Sequence, residues 1–181
     1  MNFKDADFYE TNAENKKQLK KEYLIAYSFS PGLYDDLRKI NLFLDNDLNY
    51  QLFVFFYEQP KIFSEEINEE LVKKSRTFIQ HQSKLPSGIR TLIHQFLAHS
   101  EASLKTSYYN NKNLFGILDR TEKYYEIRYN DVYYSIEMGL DCIDKKLFVT
   151  EVDQLFLQLT AAIENWLQQL IDGFVFSHNE N

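Results

Sequence analysis

Residues 123 to 139, KYYEIRYNDVYYSIEMG, constrain this chain more than any other stretch, because they alternate as two strands about a central Asn-Asp pair. Asn130 and Asp131 tolerate positive φ, which a two-residue hairpin turn demands. Pairing outward from that turn sets Tyr129 opposite Val132, Ile127 opposite Tyr134 and Tyr125 opposite Ile136 on one face. The other face carries Arg128 with Tyr133, Glu126 with Ser135 and Tyr124 with Glu137. The first face is bulky and apolar and the second mostly polar, so the register is self-consistent; a slip of one residue would mix them. Such a hairpin belongs to a sheet covered on one side.

The rest of the chain is read around that sheet. YLIAYSF, residues 23 to 29, is short and aromatic and predicts a strand, as does LNYQLFVFFY further on. Between them, SPGLYDDLRKINLFL predicts a helix with Ser30 as N-cap, Pro31 in its first turn, and Leu33, Leu37, Ile40 and Leu44 on one face. Strand, helix and strand would then form a right-handed crossover with parallel pairing. SEEINEELVKKSRTFIQHQ, capped by Ser64, and IRTLIHQFLAHSEASL predict two more helices, and NLFGILD a further strand. TEVDQLFLQLTAAIENWLQQLIDG predicts the last helix, with Thr150 as N-cap, Asp153 at the capping-box position and Gly173 as its stop. The expected fold is α+β: a single domain, residues 23 to 176, in which an aromatic-rich mixed or antiparallel sheet with a C-terminal β-hairpin region packs against about four helices. Residues 1 to 22 read as a polar segment with little core and residues 177 to 181 as a tail.

At 181 residues the chain is long enough for one continuous core. Its lone cysteine, Cys142, makes no intramolecular disulfide, and no apolar run approaches the roughly 18 residues of a membrane span. A cytoplasmic protein without a membrane or a cofactor is the expectation. The charge is unevenly placed. Residues 1 to 130 hold 18 basic and 18 acidic side chains, whereas residues 131 to 181 hold 2 and 9, so the last third carries the whole net charge of −7. That field repels nucleic acid phosphates and attracts a basic protein partner.

Candidate chemistry is sparse. RTFIQH, from Arg76 to His81, resembles the HEPN ribonucleases in the spacing of Arg, four residues and His. The resemblance covers six residues and implies an all-helical bundle in which Arg76 holds phosphate and His81 assists general acid–base cleavage of RNA. On a helix, however, these two positions lie about 500° apart and point to different faces. Arg90 and His94 share a face without an orienting third group. His94 and His99 lack a nearby Glu to complete a zinc site. DNDLNY, from Asp45 to Tyr50, begins like a calcium loop but has Tyr50 where Gly is needed and Phe56 where the bidentate Glu belongs.

More informative is the polar face of the hairpin, where Tyr124, Tyr133 and Glu137 precede Asp141, Asp144, Glu151 and Asp153. Tyrosine supplies large rigid contact area, and a rim of acids steers and pairs with Arg or Lys. The leading expectation is therefore a non-enzymatic protein-binding domain whose acidic surface, formed by these seven residues, captures a basic partner. Size, acidity, single-domain form and lack of a catalytic signature resemble immunity and antitoxin-type inhibitors that neutralise a basic toxin such as a nuclease. The alternative is a HEPN-like ribonuclease using Arg76 and His81. Partner identity and oligomeric state have no signature in the sequence.

Overall fold

The computed structural model describes residues 3–30, 37–56, 78–99, 104–105, 122–130, 132–139 and 147–178. Contacts divide the chain into two compact units, one of Met1–Lys84 with Lys105–Asp144, the other of Leu85–Leu104 with Lys145–Asn181.

The first unit is built on a sheet. After a one-turn helix α1 (Asp5–Phe8) come β1 (Tyr9–Thr11) and β2 (Lys17–Leu19), which pair with each other as a small antiparallel ribbon. Then follow β3 (Tyr23–Ser30), β4 (Leu37–Asp45), β5 (Asn49–Phe56), β6 (Phe78–Lys84), β7 (Glu122–Tyr129) and β8 (Val132–Gly139). These six form one sheet in the order β6-β5-β4-β3-β7-β8, every neighbour antiparallel. The β7–β8 hairpin has the register predicted from its sequence: Tyr125 faces Ile136, and Tyr124 faces Glu137. Asn130 takes φ 49° at its turn.

Three expectations are corrected here. Residues 37–45, expected on a helix, form β4, and β3 and β4 pair antiparallel, so no parallel crossover joins β3 to β5. Leu37, Ile40 and Leu44 fit a helical stripe, but Ile40, Leu42 and Leu44 also alternate with Lys39, Asn41 and Phe43, and tertiary pairing selects the period of two. The turn that enforces the pairing is the DNDL stretch. Asp45 Oδ1 accepts from the backbone N–H groups of Asp47 (2.9 Å) and Asn49 (2.8 Å), and Leu48 adopts φ 58°, so the segment is a tight hairpin turn between β4 and β5. Phe78 to Gln82, expected at the end of a helix, lie on β6, because pairing with β5 satisfies their backbone groups; Ser64 and the rest of that expected helix lie outside the described residues, as do Pro31, Leu33 and the NLFGILD strand. Among the described residues there are three helices, two of them longer than one turn, and the unit is mostly strand rather than a sheet packed on about four helices.

One face of the sheet is mainly apolar from β5 to β8, with the buried Lys123 on β7 as its charged exception and with His81 on the same side of β6. Ile25 and Tyr27, Leu42 and Leu44, Leu52 and Val54, Ile127 and Ile136 share this face, and each is at most 3% exposed. The opposite face receives the N-terminal segment, which was expected to add little core. Its Phe8 stacks on Phe43 with ring centroids 3.8 Å apart, and Phe8 and Leu19 close over Ala26, Phe43 and Phe53.

The second unit holds α2 (Ser87–Ala98) and α3 (Glu151–His178). Ile89, Ile93 and Phe96 form the buried stripe of α2; Val152, Phe156, Leu159, Ile163, Leu167 and Ile171 form that of α3. Phe96 meets Phe156 at 5.9 Å between ring centroids. Thr150 Oγ1 accepts from the N–H of Asp153 at 3.1 Å, and Asp153 Oδ2 accepts from the N–H of Thr150 at 2.9 Å, the capping box expected at this helix start. Gly173 does not stop α3, which continues to His178; a glycine weakens a helix interior by only about 1 kcal/mol. No helix among the described residues is long and apolar enough to cross a membrane.

Candidate functional site

The non-apolar face of the sheet divides into a capped part and an open part, and the strand registers show where the division falls. Asn41 on β4 faces Ser28 on β3, Ser28 faces Tyr124 on β7, and Tyr124 faces Glu137 on β8. This polar row lies next to a second row, in which Phe43, Ala26, Glu126 and Ser135 are successive partners. The N-terminal segment covers the apolar half of the second row and approaches Glu126 at its edge.

Glu126 fastens that edge. Tyr9 donates its phenol to Glu126 Oε2 at 2.5 Å, and Tyr133 donates its own to Oε1. Burial, with Glu126 close by, pushes both phenols well above the ordinary tyrosine range, so they remain neutral donors. Arg128 adds a second fastening by donating from Nη1 to Glu10 Oε1 at 2.7 Å and to the Leu19 carbonyl. The hydrogen bond from Arg128, helped by one from Gln18, holds the Glu10 carboxyl below the usual carboxylate range.

Beyond the fastening lies a groove of about 250 Å³ floored by Ser28, Asn41 and Phe43. Tyr9, Tyr124 and Phe3 supply aromatic wall, and Lys17 and Lys39 supply positive charge. Asn41 is 4% exposed. Its Oδ1 accepts from the Ser28 hydroxyl at 3.1 Å, but its Nδ2 has no hydrogen-bond partner. An amide donor buried in this way costs about 1 to 3 kcal/mol until something accepts from it. A second cleft of about 420 Å³, beside Tyr23, Asp45 and Lys84, has no such orphaned group.

The residues expected at a partner surface fall in different places. Tyr124, 36% exposed, and Glu137 face each other on the open row. Tyr133 is half-buried and bonded to Glu126. Asp141 and Asp144 lie outside the described residues. Glu151 is exposed in the helical unit, with Oε1 3.9 Å from His99 Nε2, and Asp153, 1% exposed, is occupied by its capping box. Arg76 also lies outside the described residues. His81 sits on the edge strand β6 rather than on a helix, with Nδ1 2.8 Å from the Tyr50 hydroxyl, so the helical bundle implied by the HEPN resemblance does not surround it.

Ser28, Lys39 and Asn41 were missed because their segments were read for packing, and in β4 as the wrong element. The usable signal is Asn41 itself, a polar side chain between Ile40 and Leu42 that points away from the apolar face as soon as the segment is a strand. Comparison with protein-family models, with curated proteins and with solved structures gives no match.

Proposed function

We propose that this chain is a cytosolic, non-enzymatic protein-binding domain that captures a basic partner, most concretely an immunity or antitoxin-type inhibitor that masks a basic toxin domain such as a nuclease. The observation that carries this reading is the pairing of exposed Tyr124 with Glu137 on the part of the sheet face left open by the N-terminal segment. A rigid aromatic beside a carboxylate suits an arginine or lysine, through ring face and charge together. The acidic excess of residues 131 to 181 gives that contact a steering field of matching sign. Asp153 is left out of the proposed rim because its helix cap already uses it.

The test is a low-salt pull-down from native lysate, followed by binding kinetics on any basic protein recovered. Glu137→Lys should slow association about tenfold at low salt, with the difference shrinking at high salt, and Tyr124→Ala should mainly speed dissociation. Binding that ignores both substitutions would remove the surface from the proposal.

A further inference from the structure

The groove beside that surface has a chemical preference of its own. Its two acids are already committed: Glu126 accepts from two phenols, and Asp5 Oδ2 accepts from Lys17 Nζ at 2.8 Å. The groups left over can all donate. Asn41 Nδ2 is buried and orphaned, and among the described residues the side chains of Lys39 and Ser135 enter no hydrogen bond or ion pair. With the Ser28 hydroxyl donating to Oδ1, the Asn41 amide is oriented so that Nδ2 is left without an acceptor. Lys39 and Asn41 stand two residues apart on β4, so their backbones are about 7 Å apart on one face, a gap that a lysine stem closes easily. Lys17 adds positive charge at the rim, its ammonium 3.9 Å from the centre of the Tyr9 ring.

We propose that this groove is a binding site for a small carboxylate, held by Asn41 Nδ2 and Lys39 Nζ, with its body against the aromatic wall of Tyr9 and Tyr124. A cation is disfavoured because both carboxylates are already committed and Lys39 adds positive charge. A phosphate would bring more charge than one free lysine and one amide can meet. The volume, about 250 Å³, lies below the roughly 300–1,000 Å³ of sites for drug-sized ligands, which keeps the ligand small. The groove shares Tyr124 with the protein-capture surface but is held by different groups: it depends on Asn41 and Lys39 and does not use Glu137. The same carboxylate chemistry is present in a free small acid and at a peptide C-terminus.

The test follows the amide signals of Asn41, Ser28 and Ser135 in the nitrogen-15-labelled full chain during titration with benzoate. Benzyl alcohol serves as the neutral control, and a short peptide with a free C-terminus is run beside its amidated form. Saturable shifts with either acid and not with its neutral counterpart are expected, and the acid that binds more tightly identifies the source. Asn41→Leu and Lys39→Met should each weaken binding about tenfold, while Glu137→Lys leaves it unchanged. Lys39 is exposed, so Lys39→Met keeps the test valid should Asn41→Leu perturb folding. The proposal is overturned if neither acid gives saturable shifts, if the shifts survive both substitutions, or if a bound water satisfies the Asn41 amide and neither acid displaces it.

Discussion

The two faces of the six-stranded sheet solve opposite problems with the same strands. One is apolar from β5 through β8 except for the buried Lys123 on β7, with Leu42, Leu52 and Ile136 essentially sealed from solvent. The other mixes an aromatic cap, a fastening of phenols and carboxylate, and a groove that leaves a buried amide without a partner. Alternation along a strand allows this: Leu42 and Asn41 are adjacent in sequence yet belong to different environments. Stability concentrates on the first face, and unmatched polarity, which folding alone does not reward, on the second.

The sharpest way to break this contrast is to truncate one residue on each face. Leu42→Ala should destabilise the protein by about 2 to 5 kcal/mol, through lost burial plus the cavity left behind. Tyr124→Ala on the open row should stay within about 0.5 kcal/mol. Denaturant unfolding of both variants checks the pair. Equal losses would make Tyr124 a packing residue and remove the reason for assigning its surface to a partner.

The next effect concerns the fastening. Tyr9→Phe deletes one of the two phenols that satisfy Glu126 and should cost about 1 to 2 kcal/mol at neutral pH. It should also alter the alkaline limb. The folded-state values of Tyr9 and Tyr133 are raised above the unfolded value of about 10, so their contribution is complete below that pH and is lost as pH rises through the folded values. Above pH 10 the unfolded chain releases protons that the folded chain keeps. Stability should therefore fall by at most about 1.4 kcal/mol per pH unit for each phenol, and less steeply in Tyr9→Phe. Unfolding midpoints measured between pH 9 and 11.5 would show it, and an unchanged slope would mean that Tyr9 ionises freely in the folded protein.

How much of this was legible in the sequence depends on how local each signal is. The β7–β8 hairpin was readable residue by residue, because a two-residue turn and strict alternation leave one register. The α3 capping box was readable for the same reason, since Thr150 and Asp153 are three residues apart. β4 was not, because Leu37, Ile40 and Leu44 satisfy a helical period by coincidence and only pairing with β3 and β5 decides. The groove followed β4 into obscurity: Asn41, Ser28 and Tyr124 come together only across three strands, and the Tyr9 to Glu126 bond spans 117 positions. Of the expected surface, Tyr124 and Glu137 were placed together by the hairpin, whereas Asp153 could be read as either a surface acid or a cap, and its cap partners lie only three and four residues away.

A smaller effect probes the amide directly. Asn41→Leu removes the Ser28 hydrogen bond but also the orphaned donor, so its net effect on stability should stay within about 1 kcal/mol. A loss comparable with Leu42→Ala would show that Asn41 is satisfied in solution and that the two faces are alike in serving the fold.

The smallest effect lies at the exposed rim of the fastening, where Glu10 meets Arg128. Hydrogen bonds from Arg128 and Gln18 lower the folded-state value of Glu10 below its unfolded value, so its contribution is present above the unfolded value and disappears as pH falls through the folded one. The window opens below about pH 4.5. Glu10→Gln should flatten the acid limb of the stability curve and leave the alkaline limb to Tyr9 and Tyr133. Salt should shrink the difference, since Glu10 is solvated and its pairing is screened. If Glu10→Gln leaves the acid limb unchanged while Arg128→Met destabilises at every pH, then Arg128 secures the N-terminal segment through the Leu19 carbonyl, and the ion pair at the rim is incidental.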